Sequence, residues 1–98
     1  MRLGHKATTT HLVVYLNHDA SQTQPRFGFV VSKLVGNAVQ RNLVKRRARA
    51  ALHNRMNDFR PGDNLVLRAL PGLAELSFEA MNFELDQAMA SLAKKAGV

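Results

Sequence analysis

Residues 36–49 read GNAVQRNLVKRRAR, and the rest of the chain has to be arranged around them. Arg41, Lys45, Arg46, Arg47 and Arg49 are cationic, no residue is acidic, and neither Pro nor an internal Gly interrupts the run. Asn37 suits an N-cap, and Gln40 stands three residues later, the spacing of a capping box. The pattern predicts a helix from about Ala38 to about Arg55. At about 100° per residue, Val39, Leu43, Val44, Ala50 and Ala51 project to one side. Arg41, Asn42, Lys45, Arg46, Arg49 and His53 project to the other. Arg47 falls among the apolar residues, so its stem is expected to follow the core edge while its guanidinium reaches water. An ordinary surface helix mixes signs so that Glu and Lys pair at i,i+4. Here no acid is available, and a polyanion would relieve the repulsion. The ridge therefore points to nucleic acid.

The whole chain shares that bias. Fourteen Lys+Arg against seven Asp+Glu leave a net charge of +7. At 98 residues the chain has room for one modest core, so residues 1–98 are read as a single domain. A small domain this basic meets nucleic acid more often than an anionic membrane. The absence of cysteine excludes disulfides, thiolate chemistry and zinc-finger sites. No signal-type apolar segment or membrane-length run is present, which leads to the expectation of a cytoplasmic protein without a membrane partner.

Before the ridge, Lys6–Thr9 has the composition of a short edge strand, and His11–Leu16 that of a β-branched strand with two largely apolar faces. Asn17–Pro25 is turn-rich. Arg26–Lys33 alternates Phe27, Phe29, Val31 and Lys33 against Gly28, Val30 and Ser32, and Gly28 leaves its face open to close approach. After the ridge, Pro61-Gly62 marks a turn, and Asn64–Leu70 is a strand with Leu65, Leu67 and Ala69 on one face. Ser77 is an N-cap for a last helix with Glu79 in its first turn. In that helix Phe78, Met81, Leu85, Ala88, Met89 and Leu92 form a core stripe. The order strand, strand, helix, strand, helix predicts an α+β sandwich: a small, mainly antiparallel sheet covered by helices. Its strand–helix–strand unit would ordinarily cross over right-handed.

An autonomous nuclease needs positioned acid–base groups or clustered metal ligands. His5, His11, His18 and His53 show no metal-binding helical spacing, and the acids form no paired-carboxylate pattern. Neither catalytic nor metal-ligating residues are therefore assigned to the chain.

The motif's wording is specific. Ser32-Lys33, Gly36-Asn37-Ala38-Val39, Arg41-Asn42 and Lys45-Arg46-Arg47-Ala48-Arg49 resemble the signature of the bacterial ribonuclease P protein subunit: an Arg-Asn-Arg box, then Lys-Arg, after a strand and a Gly-Asn turn. The resemblance runs from about Gly4 onward. It implies a left-handed crossover around the basic helix. It also implies a protein that assists a magnesium-using catalytic RNA and binds the 5′ leader of precursor tRNA. The ribonucleoprotein cuts endonucleolytically to give the mature 5′ end, with its catalytic groups and magnesium in the RNA. Carried over by residue, Arg41, Asn42, Lys45, Arg46 and Arg49 match the helix that contacts this RNA, with Lys33 and Asn37 at the strand end and turn before it. Tyr15 matches an aromatic lining the leader cleft, where a ring can stack on an unpaired base. Phe29, on a neighbouring strand, is the second candidate for that floor, although plain core packing is the reading favoured for it.

The sequence departs from that pattern in two places. Leu43 stands at the third position of the box and is expected to add packing. The family's usual N-terminal helix has room for no more than Met1–Gly4. The sheet face around Val13, Tyr15 and Phe29 would then be open, or covered by self-association. The competing function is a general RNA-binding accessory or ribosome-associated protein. A DNA-reading helix-turn-helix would need a second helix nearby, and strands flank this one instead. A membrane-surface helix would need bulkier anchors than Ala50 and Ala51.

Overall fold

A computed structural model describes residues 4–95. Residues 1–3, where the resemblance leaves space for the end of a family helix, lie outside the described residues. The elements run β1 (His5–Thr8), β2 (Leu12–His18), β3 (Arg26–Val30), α1 (Ala38–His53), β4 (Asp63–Ala69) and α2 (Phe78–Lys95). Short 3-10 turns at Met56–Asp58 and Leu73–Glu75 lie before and after β4. This is the expected α+β order, with the predicted helix ending two residues early and the second long strand ending at Val30.

The four strands form one sheet in the order β1-β2-β4-β3. β1 with β2 and β2 with β4 pair antiparallel, while β3 and β4 run parallel, with α1 carrying the chain between them. Register separates the faces, because side chains alternate along each strand. Ala7, Val14, Leu67 and Phe29 form one cross-strand row, and Leu16, Leu65 and Phe27 continue it. These residues join Val44, Ala48, Ala51 and Leu52 of α1 and Met81, Leu85, Ala88 and Leu92 of α2 in one core. Both helices therefore pack on the same face. The opposite face carries the rows Lys6–Tyr15–Val66–Gly28 and Thr8–Val13–Arg68–Val30.

α1 starts as its sequence dictates. Gln40 N donates to Asn37 Oδ1 at 2.9 Å, and Asn37 N donates to Gln40 Oε1 at 2.9 Å, closing the capping box. Gly36 makes room for it, since a Cβ there would fall on the Gln40 amide and 2.9 Å from its Cβ. The core row is Val44, Ala48, Ala51 and Leu52, spaced i, i+4, i+7, i+8. This corrects the wheel reading: Val39 is 77% exposed, Ala50 is exposed and Leu43 only half-buried. Ala48 comes nine residues after Val39 and two before Ala50, which at about 100° per residue sets both on roughly the opposite side of the helix from the core row. Arg47 does lie at the core edge, but Nη1 donates to the Leu76 carbonyl at 2.7 Å instead of ending in water. It ties α1 to the segment before α2. There Ser77 Oγ accepts from Ala80 N at 3.1 Å, the expected N-cap.

Candidate nucleic-acid interface

Asn42, Arg46 and Arg49 are exposed, and Arg41 and Lys45 are half-buried. Because α1 turns about 100° per residue, these positions return to one side of the helix. With Val39, the residues Asn42, Lys45, Arg46 and Arg49 line an open groove of about 530 Å³. Among the described residues no carboxylate lies within ion-pair distance of Arg41, Lys45, Arg46 or Arg49. The Arg41 Nε is sealed from solvent and has no acceptor among them. Arg55, just past the end of α1, is used up internally. It reaches Asp86 at 2.7 Å, Asn82 Oδ1 at 2.8 Å and the Ala51 carbonyl at 2.8 Å. The acids thus neutralise cations off the ridge and leave the ridge uncompensated.

Arg49 is steered from below, its Cζ lying 5.5 Å from the Phe29 ring centroid. Lys33 is exposed in the turn that delivers the chain to α1, where Val35 N donates to Ser32 O at 3.1 Å. Asn37 is exposed, and its side-chain oxygen is engaged in the cap that fixes where α1 begins.

Phe29 requires a correction. It does not share a floor with Tyr15. It faces the helices, in register with Leu67 and under Arg49, whereas Tyr15 pairs with Val66 on the opposite face. β4 also lies between their strands. On the Tyr15 side, Tyr15, Val30, Ser32, Val66, Arg68 and Ala69 line a second groove of about 270 Å³. Arg68 was missed at the sequence level. The alternation that buries Leu67 and Ala69 already sends it to the Tyr15 face.

Glu84, Asp63 and Asp19 are tied into local structure instead. Glu84 Oε1 accepts from Thr9 Oγ1 at 2.6 Å and from His11 N at 2.9 Å, and its Oε2 lies 2.6 Å from His11 Nδ1. Burial raises the Glu84 pKa, but the Thr9 and His11 hydrogen bonds outweigh it and hold the carboxyl below the usual carboxylate value. Asp63, buried at the start of β4, is 2.9 Å from His18 Nδ1 and accepts from Arg60 N at 2.8 Å. Half-buried Asp19 is held low by its Ser21 hydrogen bonds. Among the described residues no three of His, Asp and Glu gather into a group that could hold a metal ion. None of the described helices is long and apolar enough to cross a membrane.

The chain is matched over residues 1–93 by the family described as Ribonuclease P. It is 43% identical over 97 residues to the ribonuclease P protein component of Beutenbergia cavernae, an alignment spanning 99% of this chain and 82% of that one. It is 37% identical over 89 residues to the Clavibacter michiganensis ribonuclease P protein component, spanning 91% and 79%. The solved RNase P protein of Staphylococcus aureus superposes with a TM-score of 0.81 at 24% identity, covering 91% of this chain and 81% of that one. The Thermotoga maritima RNase P protein gives 0.76 at 22% identity, covering 95% and 84%. At those identities the two structures bear on the fold alone.

Proposed function

The chain belongs to the ribonuclease P protein family, and from that premise we propose that α1 is its grip on the catalytic RNA. As a ribonuclease P protein component it is part of a tRNA-processing ribonuclease with an RNA partner. In our reading Arg41, Asn42, Lys45, Arg46 and Arg49 meet the phosphates of that RNA, with Lys33 at the entering turn. The sheet face carrying Tyr15 and Arg68 takes the 5′ leader of precursor tRNA. The phenol ring there offers a stacking surface for an unpaired base, and the guanidinium a partner for its phosphate.

The reaction is endonucleolytic release of the leader, leaving the mature 5′ end. Its catalytic groups, and the magnesium ions that serve it, belong to the RNA. The histidines and carboxylates closest to one another in this chain are already engaged in holding its loops and helices. What the protein contributes is charge and shape. Catalytic RNA, precursor and leader are all polyanions, and bringing them within a screening length of about 10 Å at 0.1 M salt costs repulsion. A cationic ridge lowers that cost and releases condensed counterions.

The observation that carries the reading is the asymmetric pairing between α1 and the residue just past its end. Arg55 is fully engaged internally, while Arg41, Lys45, Arg46 and Arg49 meet no acid among the described residues. Titration of the protein onto the catalytic RNA at rising salt tests it. Affinity should fall steeply and log-linearly with salt. Weak binding that does not respond to salt would contradict it.

A further inference from the structure

Leu34 and Val39 are 81% and 77% exposed, the two most exposed large apolar side chains among the described residues. They flank the start of the ridge. Leu34 stands in the turn three residues before the N-cap, and Val39 lies in the first turn of α1. Val39 also lines the same groove as Asn42, Lys45, Arg46 and Arg49. A β-branched side chain is unfavourable at an exposed helical position both for its rotamer entropy and for its hydration, so local structure gives no reason for it.

We propose that Leu34 and Val39 seat an unpaired nucleobase of the RNA partner at the N-terminal end of the cationic groove. This inference rests on the RNA-binding reading of α1 and adds the kind of RNA surface recognised. The groove's charge selects a polyanion. A second copy of the chain docked through this face would set its own Lys45, Arg46 and Arg49 against the same three cations. Phosphate and ribose hydroxyls gain nothing from an isopropyl or isobutyl group. A base face does, but stacking hides it in a continuous duplex and leaves it available at a bulge, loop or strand end. The cations then hold the backbone while the apolar pair reads whether a base is free.

The test uses the whole chain and two RNA probes with the same number of phosphates, a fully paired duplex and a duplex shortened by one base pair in which the two nucleotides so freed form a bulge on one strand. The wild type should bind the bulged RNA more tightly. The double variant Leu34→Ser, Val39→Ser should lose about tenfold on the bulged RNA, the scale of uncovering a valine-sized group. Its duplex affinity and its salt slope should be unchanged. Val39→Thr, which keeps the shape and branching, should lose part of the preference without disturbing the helix. Equal binding of the bulged RNA by wild type and variant, or equal loss on both probes, would overturn the inference, as would dimerisation of the free protein that the double variant abolishes. Salt-insensitive binding of both probes by the wild type would instead reject the RNA-binding reading beneath it.

Discussion

The guanidinium carbon of Arg49 sits 5.5 Å from the centre of the Phe29 ring. The C-terminal end of the cationic ridge is thereby tethered to the edge strand of the sheet, because β3 has β4 on one side only. A ridge held at this point presents its charges at fixed spacing, which a freely rotating arginine would not.

Reversing the ridge should separate binding from folding. Lys45→Glu with Arg49→Glu replaces two cations that meet no acid among the described residues, so the fold should survive with an unchanged circular-dichroism spectrum. Affinity for the catalytic RNA should fall by more than about a hundredfold at low salt, with the salt slope reduced by about two. An unfolded variant would mean that these residues serve the core.

Tyr15 and Phe29 should part company when substituted. Tyr15→Ala should weaken binding of precursor tRNA with a leader relative to mature tRNA, by about fivefold or more if a base stacks there. Phe29→Leu should leave that ratio alone and cost about 1–2 kcal/mol of stability through imperfect repacking. Binding ratios together with thermal melts decide it, and a reversed pattern would return Phe29 to the leader face.

Leu52 and Val39 lie on one helix but differ in what they touch. Leu52→Ala, which opens a cavity at a fully buried position, should cost about 2–5 kcal/mol. Val39→Ala should change stability by no more than about 0.5 kcal/mol. Denaturant unfolding measures both.

The Glu84 cluster gives the fold an acid-sensitive joint between the β1–β2 turn and α2. A carboxyl whose folded pKa is depressed contributes stability that is complete above the ordinary carboxylate value and disappears as pH falls through the lower folded value. Glu84→Gln should cost about 1–3 kcal/mol at pH 7. It should also flatten the acid limb of the stability profile below pH about 4. Melting curves of both proteins from pH 7 down to pH 3 test this, and parallel profiles would place the acid sensitivity elsewhere.

Much of this was readable from residues alone. Asn37 and Gln40 announced the capping box, and Pro-Gly pairs and alternating Leu residues located β4, because caps and turns are short-range chemistry. The uncompensated cations needed no coordinates either. Pairing was less legible. Nothing local tells β3 to lie beside β4 and not β2, nor fixes the register that puts Phe29 under the helices and leaves Tyr15 on the other side. Direction was also hidden. The apolar stripe on the wheel is broad enough to dock by either edge, and only the packing shows that Val44, Ala48, Ala51 and Leu52 meet the core while Val39 faces away from it.

The claim at the centre is that this protein acts on a catalytic RNA by offering positive charge and a shaped surface. It is tested most directly by cleavage of precursor tRNA with that RNA at limiting magnesium, with the protein absent, present, or carrying Lys45→Glu and Arg49→Glu. The account predicts leader removal at least about tenfold faster with the wild-type protein, and a rate near that of RNA alone with the variant. Equal rates in all three reactions, or cleavage by the protein without the RNA, would contradict it.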